Sequence, residues 1–292
     1  MHEALKLGLV RTLEAFKNAL LPPRCLACKS FIGPPPYDGI HRNSATLNAS
    51  VRSDASETEG TGPLRSRFDA AMAACLCPAC RGQYQPPRSP ICTVCGRMFT
   101  GREGPDHLCG DCIETPKHYH KARAAAISTP ALMKVIHQFK YSRKLQPAKA
   151  LSAVLLSAFC EYWPERDIQT LMPVPLHMER MRRRGFNQAY LLIRDWRRLA
   201  EKSGLEPGNM TLDKYTLIRK HRTRPQTGLG KTRRYRNVRN AFAVRAPENI
   251  RHKNVLLLDD VYTTGATVNE CARVLRQNGA ARVDVLTLVH AM

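Results

Sequence analysis

The chain has 292 residues, with 46 Lys and Arg against 24 Asp and Glu and a net charge of +22. That length supplies one large or two modest domains with a substantial core, and the cation excess points to an anionic partner or substrate without choosing between small phosphates and nucleic acid. No apolar run approaches the ~20 residues of a membrane-spanning helix, and charges among the first leucines exclude a signal-peptide core, so the expected location is cytoplasmic.

Residues 3–21 set Leu5, Leu9, Leu13, Phe16 and Leu20 at helical spacing before Pro22 and Pro23 stop the run. This predicts an amphipathic helix over 1–22 that packs on the domain behind it. Cys-x-x-Cys then occurs four times: Cys25/Cys28, Cys77/Cys80, Cys92/Cys95 and Cys109/Cys112. Each pair offers two thiolates to one side of a tetrahedral zinc, and two pairs close a site with no open position. Eight such cysteines in one chain predict two structural zincs in a double zinc ribbon over 23–118, in a reducing compartment. Spacing leaves sequential and interleaved pairing both open, and it leaves Cys75 as a spare thiol. Between the first two pairs, residues 33–67 are rich in Pro, Ser, Thr, Asn and Gly and read as a disordered insert.

From residue 119 the composition turns to alternating strands and helices. Arg123–Ser128 reads as a strand, Ala131–Phe139 and Ala148–Tyr162 as helices, and Asp167–Met172 as a second strand. Pro173-Val174-Pro175 leads into Arg180-Met-Arg182-Arg183-Arg184-Gly185-Phe186-Asn187-Gln188, which reads as the opening of a helix continuing to about Glu201. Arg182, Arg183, Arg184 and Gly185 thus follow a strand, where guanidinium forks suit diphosphate oxygens. The plainer reading is a solvated basic turn.

Lys214 to Pro247 contains no acid at all. Its glycine-bearing centre presents Arg224, Lys231 and Arg234, and Ala241–Val244 reads as a strand. The plainest reading is a mobile, solvated basic loop. Another is a nucleic-acid strap, with Tyr235 available for base stacking.

The chain is organised around Val255-Leu256-Leu257-Leu258-Asp259-Asp260-Val261-Tyr262-Thr263-Thr264-Gly265-Ala266-Thr267. Four aliphatic residues form a buried strand that ends at two carboxylates, and Val268, Cys271, Val274 and Leu275 continue as a helix to Asn278. The N–H groups and hydroxyls of Thr263, Thr264, Gly265, Ala266 and Thr267 at that helix start suit a phosphate monoester. Asp259 and Asp260 repel phosphate but can accept hydrogen bonds from a vicinal diol or hold Mg²⁺. Val283–Val289 reads as a last strand.

This stretch resembles the phosphoribosyl-pyrophosphate (PRPP) motif of type I phosphoribosyltransferases. The Pro-Val-Pro and Arg-Gly-Phe-Asn-Gln combination resembles the ComF/GntX branch of that family. The resemblance implies an α/β fold, a parallel sheet with helices on both faces over 119–292, preceded by the zinc-ribbon module. It also implies PRPP with Mg²⁺ as ligand, Asp259 and Asp260 on the ribose, and 263–267 on the 5-phosphate. Arg182–Gly185 would hold the diphosphate, and the 222–236 arm would be a flexible hood that closes over PRPP and brings Arg224, Lys231 and Arg234 to the leaving group, in a pentosyl transfer to an unidentified acceptor. The ComF branch further implies a link to DNA uptake, with single-stranded DNA and competence or recombination proteins as partners. The alternative is a single-stranded-DNA-associated protein that keeps the fold without turnover.

Overall fold

The computed structural model describes residues 23–33, 63–101, 103–141, 145–203, 210–221 and 230–291. The helix expected over 3–21, and the insert between 34 and 62, lie outside them. Three short helices belong to the cysteine-rich part: α1 (Pro63–Met72), α2 (Pro78–Gly82) and α3 (Gly110–Glu114). Then come β1 (Ala122–Ile127), α4 (Pro130–Tyr141), α5 (Gln146–Tyr162), β2 (Thr170–Pro173), α6 (Met178–Arg184), α7 (Gln188–Leu191) and α8 (Trp196–Ser203). After them run β3 (Thr211–Leu212), β4 (Leu217–Arg219), α9 (Lys231–Val238), β5 (Phe242–Val244), β6 (Asn254–Tyr262), α10 (Ala266–Gln277) and β7 (Arg282–His290). Among the described residues no helix is long and apolar enough to cross a membrane.

The main sheet has the order β1-β7-β6-β2-β3, with every pairing parallel. β6 lies between β7 and β2 and is covered on both faces, which is why its apolar run does not alternate with polar residues. Successive side chains still point to opposite faces. Leu256 and Leu258 join α4 and α5 through Ile136, Phe139, Leu155 and Phe159. Val255 and Leu257 join α10 through Val268, Cys271 and Leu275. Each fully buried leucine here contributes roughly 1.5–3 kcal/mol of transfer free energy.

Three sequence-based boundaries need correction. β6 does not end at the carboxylates: β7 is equally long, and the ladder continues through Asp259↔Thr287 to Tyr262↔His290. The helix expected to run unbroken to Glu201 is three helices. Gly185, with φ 82°, ends α6 in the left-handed region, and the Asn187 side chain caps α7 by accepting from Ala189 N–H at 3.0 Å. The insert is also shorter than expected, because Pro63–Arg67 already belongs to α1. That helix buries Phe68 and Met72, four residues apart, against α5.

The cysteine-rich part docks by backbone as well as by side chains. Tyr84 Oη donates to the Ala125 carbonyl at 2.8 Å, Ile127 N–H to Gln85 at 2.8 Å, and Ala122 N–H to Val94 at 2.6 Å. Cys25, Cys77 and Cys80 pack into the α4–α5 core, whereas Cys92, Cys95, Cys109 and Cys112 pack into the α10 core. One cysteine cluster therefore closes each face of the sheet, and both cores run across the 118/119 junction.

Candidate functional site

The pleat of β6 explains why two adjacent carboxylates have different surroundings. Asp260 has the phase of Leu258 and meets Lys140 of α4, Nζ to Oδ1 at 2.9 Å. Asp259 has the phase of Leu257, on the α10 side, and feels the Arg219 guanidinium of β4. Burial, and after it the charge of Asp260, push the Asp259 carboxyl up to about 7, against the pull of Lys140 and Arg219. Its Oδ1 accepts from the Asp260 N–H at 2.8 Å.

Directly after β6, Thr263, Thr264 and Gly265 turn the chain into α10. Gly265 has φ 72° and is the N-cap residue, and its carbonyl accepts from Asn269 N–H at 2.8 Å. A Cβ at this position would collide with the Tyr262 hydroxyl, so both conformation and space demand glycine. The positive end of a helix of 12 residues thus opens beside the two aspartates.

These elements enclose one cleft of about 350 Å³. It brings together Asp259, Asp260, Thr263, Gly265, Ala266 and Thr267, with Arg184 and Arg234 from the two basic segments. Four predicted residues do not line it: Arg182, Arg183, Gly185 and Thr264. Helical periodicity gives the reason for the arginines. α6 turns Arg180 and Arg184, at i and i+4, to the cleft and leaves Arg182 and Arg183 exposed. Arg224 and the Lys231 side chain lie outside the described residues. The sequence reading missed Lys140, Arg180 and Arg219. For Arg180 the four-residue spacing to Arg184 was a usable signal; Lys140 and Arg219 come from elements remote in sequence, and nothing local marks them.

The basic arm has more structure than a bare loop. β4 and β5 form an antiparallel pair with Leu217↔Val244, and α9 packs on α10. Tyr235 of α9 donates its hydroxyl to the Thr264 carbonyl at 3.0 Å, and its ring packs against the α10 core. Tyr235 therefore fastens the arm to the loop and is not free as a stacking platform. Opposite, the Arg184 guanidinium lies 4.9 Å over the Tyr141 ring.

The cysteines group sequentially, as Cys25, Cys28, Cys77, Cys80 and as Cys92, Cys95, Cys109, Cys112, with the sulfurs of each set within 4.8 Å of one another. Four thiolates at ~2.3 Å from a tetrahedral zinc stand ~3.8 Å apart, so both sets fit the ion and leave no ligand position open. Cys75 belongs to neither set; it is buried, and its carbonyl accepts from Leu26 N–H at 2.9 Å.

Residues 210–292 match the phosphoribosyl transferase domain family. DNA utilization protein YhgH of Salmonella typhimurium is 32% identical over 231 residues, covering 74% of this chain and 97% of that protein. Competence protein F of Haemophilus influenzae is 27% identical over 229 residues, covering 74% of this chain and 96% of that protein. Competence protein ComFC of Bacillus subtilis is 27% identical over 223 residues, covering 74% and 84% respectively. With a five-stranded parallel sheet, an acidic pair ahead of a threonine-glycine loop, and two four-cysteine clusters, the chain belongs to the ComF family of phosphoribosyltransferase-like proteins.

Proposed function

We propose that the cleft binds PRPP with Mg²⁺ and that the protein transfers the phosphoribosyl group to an acceptor. The observation that carries this reading is the convergence of Asp259, Asp260, Thr263, Gly265, Ala266 and Thr267 with the arginines Arg180, Arg184, Arg219 and Arg234 on one cavity. The aspartates accept hydrogen bonds from the ribose diol, and the loop donates to the 5-phosphate. The arginines meet the diphosphate. Mg²⁺, a hard ion suited to carboxylate and phosphate oxygens, would neutralise charge on the leaving group. In the transfer the anomeric C–O bond to pyrophosphate breaks, and a bond to an acceptor lone pair forms. The chain contributes position and preorganised charge. The test is release of pyrophosphate from PRPP and Mg²⁺ across a panel of amine and nucleobase acceptors. Saturable PRPP binding without release for any acceptor would leave a ligand-binding protein in place of a transferase.

A second reading is favoured by the relatives named for DNA utilization and competence, and by the acid-free segment 214–247. In this reading the protein binds single-stranded DNA through its cationic surface, with or without turnover. Affinity that falls steeply with salt and survives loss of the aspartates would support it. The two zinc sites serve either reading as structural centres.

A further inference from the structure

We infer that Tyr119 and Tyr262 are positioning residues that hold the 263–265 loop and make its shape depend on the Cys92–Cys112 module. The inference rests on the reading of that loop as the 5-phosphate site. The two hydroxyls are 2.7 Å apart, in side chains only 3% and 6% exposed. Tyr262 ends β6, and its hydroxyl lies against Gly265 so closely that no Cβ fits between them. The Tyr262 ring is held by stacking on His290, with centroids 4.7 Å apart, and its carbonyl accepts from Ala291 N–H at 2.8 Å.

Tyr119 is the last residue but two before β1, and it belongs to the same buried cluster as Cys92, Cys95, Cys109 and Cys112. Its neighbours are pinned to the transferase-like part: His118 N–H donates to Asn269 Oδ1 at 2.8 Å, and His120 N–H to the Val283 carbonyl at 2.7 Å. The chain of contact therefore runs from the cysteine cluster to Tyr119, to Tyr262, and on to Gly265. Each link is packed and buried, so a shift at one end has no soft element to absorb it. An ordinary core hydrogen bond would stabilise the fold without setting the loop, and the two cases differ in what they do to the loop amides.

The experiment is hydrogen exchange of the backbone amides of 263–267 in the full zinc-loaded chain. It compares wild type with Tyr119→Phe, Tyr262→Phe, the double variant and Ser152→Ala. The last removes another buried hydroxyl bond, to the Leu192 carbonyl, in the opposite core. Each tyrosine variant is expected to speed loop exchange about tenfold, and the double variant no further, because one shared bond is lost in all three. Ser152→Ala should leave the loop unchanged even if it lowers Tm equally. Ribose 5-phosphate affinity should fall by the same factor as protection. Unchanged loop exchange in both single variants, or strictly additive effects, would overturn the inference. If wild type fails to bind ribose 5-phosphate, the 5-phosphate reading falls, while the exchange rates still decide whether the tyrosines set the loop.

Discussion

Lys140 Nζ stands 2.9 Å from Asp260 Oδ1, tying the last turn of α4 to the carboxyl end of the central strand, with only 21% and 10% of the two side chains exposed. Burial is the largest single influence and opposes the lysine's charge, but the bond and charge of Asp260, together with the charges of Asp259 and Tyr141, outweigh it and raise the Lys140 pKa. The pairing separates two adjacent acids. Asp260 has the counter-ion, and the half-buried Asp259 beside it is driven toward the protonated form.

Removing one partner of this pair should be costly and removing both much less so. Lys140→Met leaves a carboxylate without its counter-ion and should destabilise the fold by roughly 2–4 kcal/mol, whereas Lys140→Met with Asp260→Asn should recover most of that. Denaturant unfolding of the four proteins in the cycle gives the coupling; additive single effects would show that the pair is not coupled.

Asp259 should make the ligand-free protein less stable as pH rises. Its folded pKa of about 7 lies above the ordinary 3.8, so the unfolded chain releases the proton first. The stability tied to that proton is complete below about pH 4 and is lost as pH climbs to about 7. Asp259→Asn should therefore raise stability at pH 8 by ~1–2 kcal/mol, a few degrees in Tm, and change nothing near pH 4. Thermal melts across that range check the sign; equal gains at both ends would contradict it.

The cleft-facing arginines should matter and their neighbours should not. Arg219→Gln or Arg180→Gln is expected to weaken PRPP binding about tenfold or more, the worth of a charge-assisted contact, while Arg182→Gln and Arg183→Gln stay within about twofold. A larger loss at Arg182 than at Arg180 would mean that α6 presents its other face to the ligand.

Zinc removal should be felt by the whole chain. Both four-cysteine sets, all but the exposed Cys28, pack into cores that cross the 118/119 junction. A strong chelator is thus expected to lower a single cooperative transition rather than unfold one part alone. A fragment starting at 119 should aggregate, since it exposes the apolar surface that Cys25, Phe68 and Tyr84 now cover. A soluble fragment with a cooperative melt would refute this.

Much of this architecture was legible because the relevant signals are local. The run Val255–Leu258, the acidic pair and the threonine-glycine loop specify strand, turn and helix start within one stretch, and four Cys-x-x-Cys pairs specify two four-cysteine clusters. What sequence could not show depends on which face a side chain takes and on remote partners. The run of arginines at 182–184 does not itself say which faces the cleft; the 3.6-residue repeat with Arg180 turns Arg184 there. Lys140 lies over a hundred residues from Asp260, and only packing of α4 on the sheet brings it there. Tyr235 reads as available for base stacking, because nothing local announces its bond to the Thr264 carbonyl.

The central claim is that the cleft is a phosphoribosyl site built on the aspartate pair. Calorimetric titration of PRPP with Mg²⁺ into wild type and Asp260→Asn tests it most directly, alongside a melt showing that the variant still unfolds cooperatively. The account predicts saturable binding to wild type and a loss of at least tenfold in the variant, with single-stranded DNA affinity unchanged or slightly higher. Absence of PRPP binding to wild type, or equal binding to a folded Asp260→Asn, would contradict it.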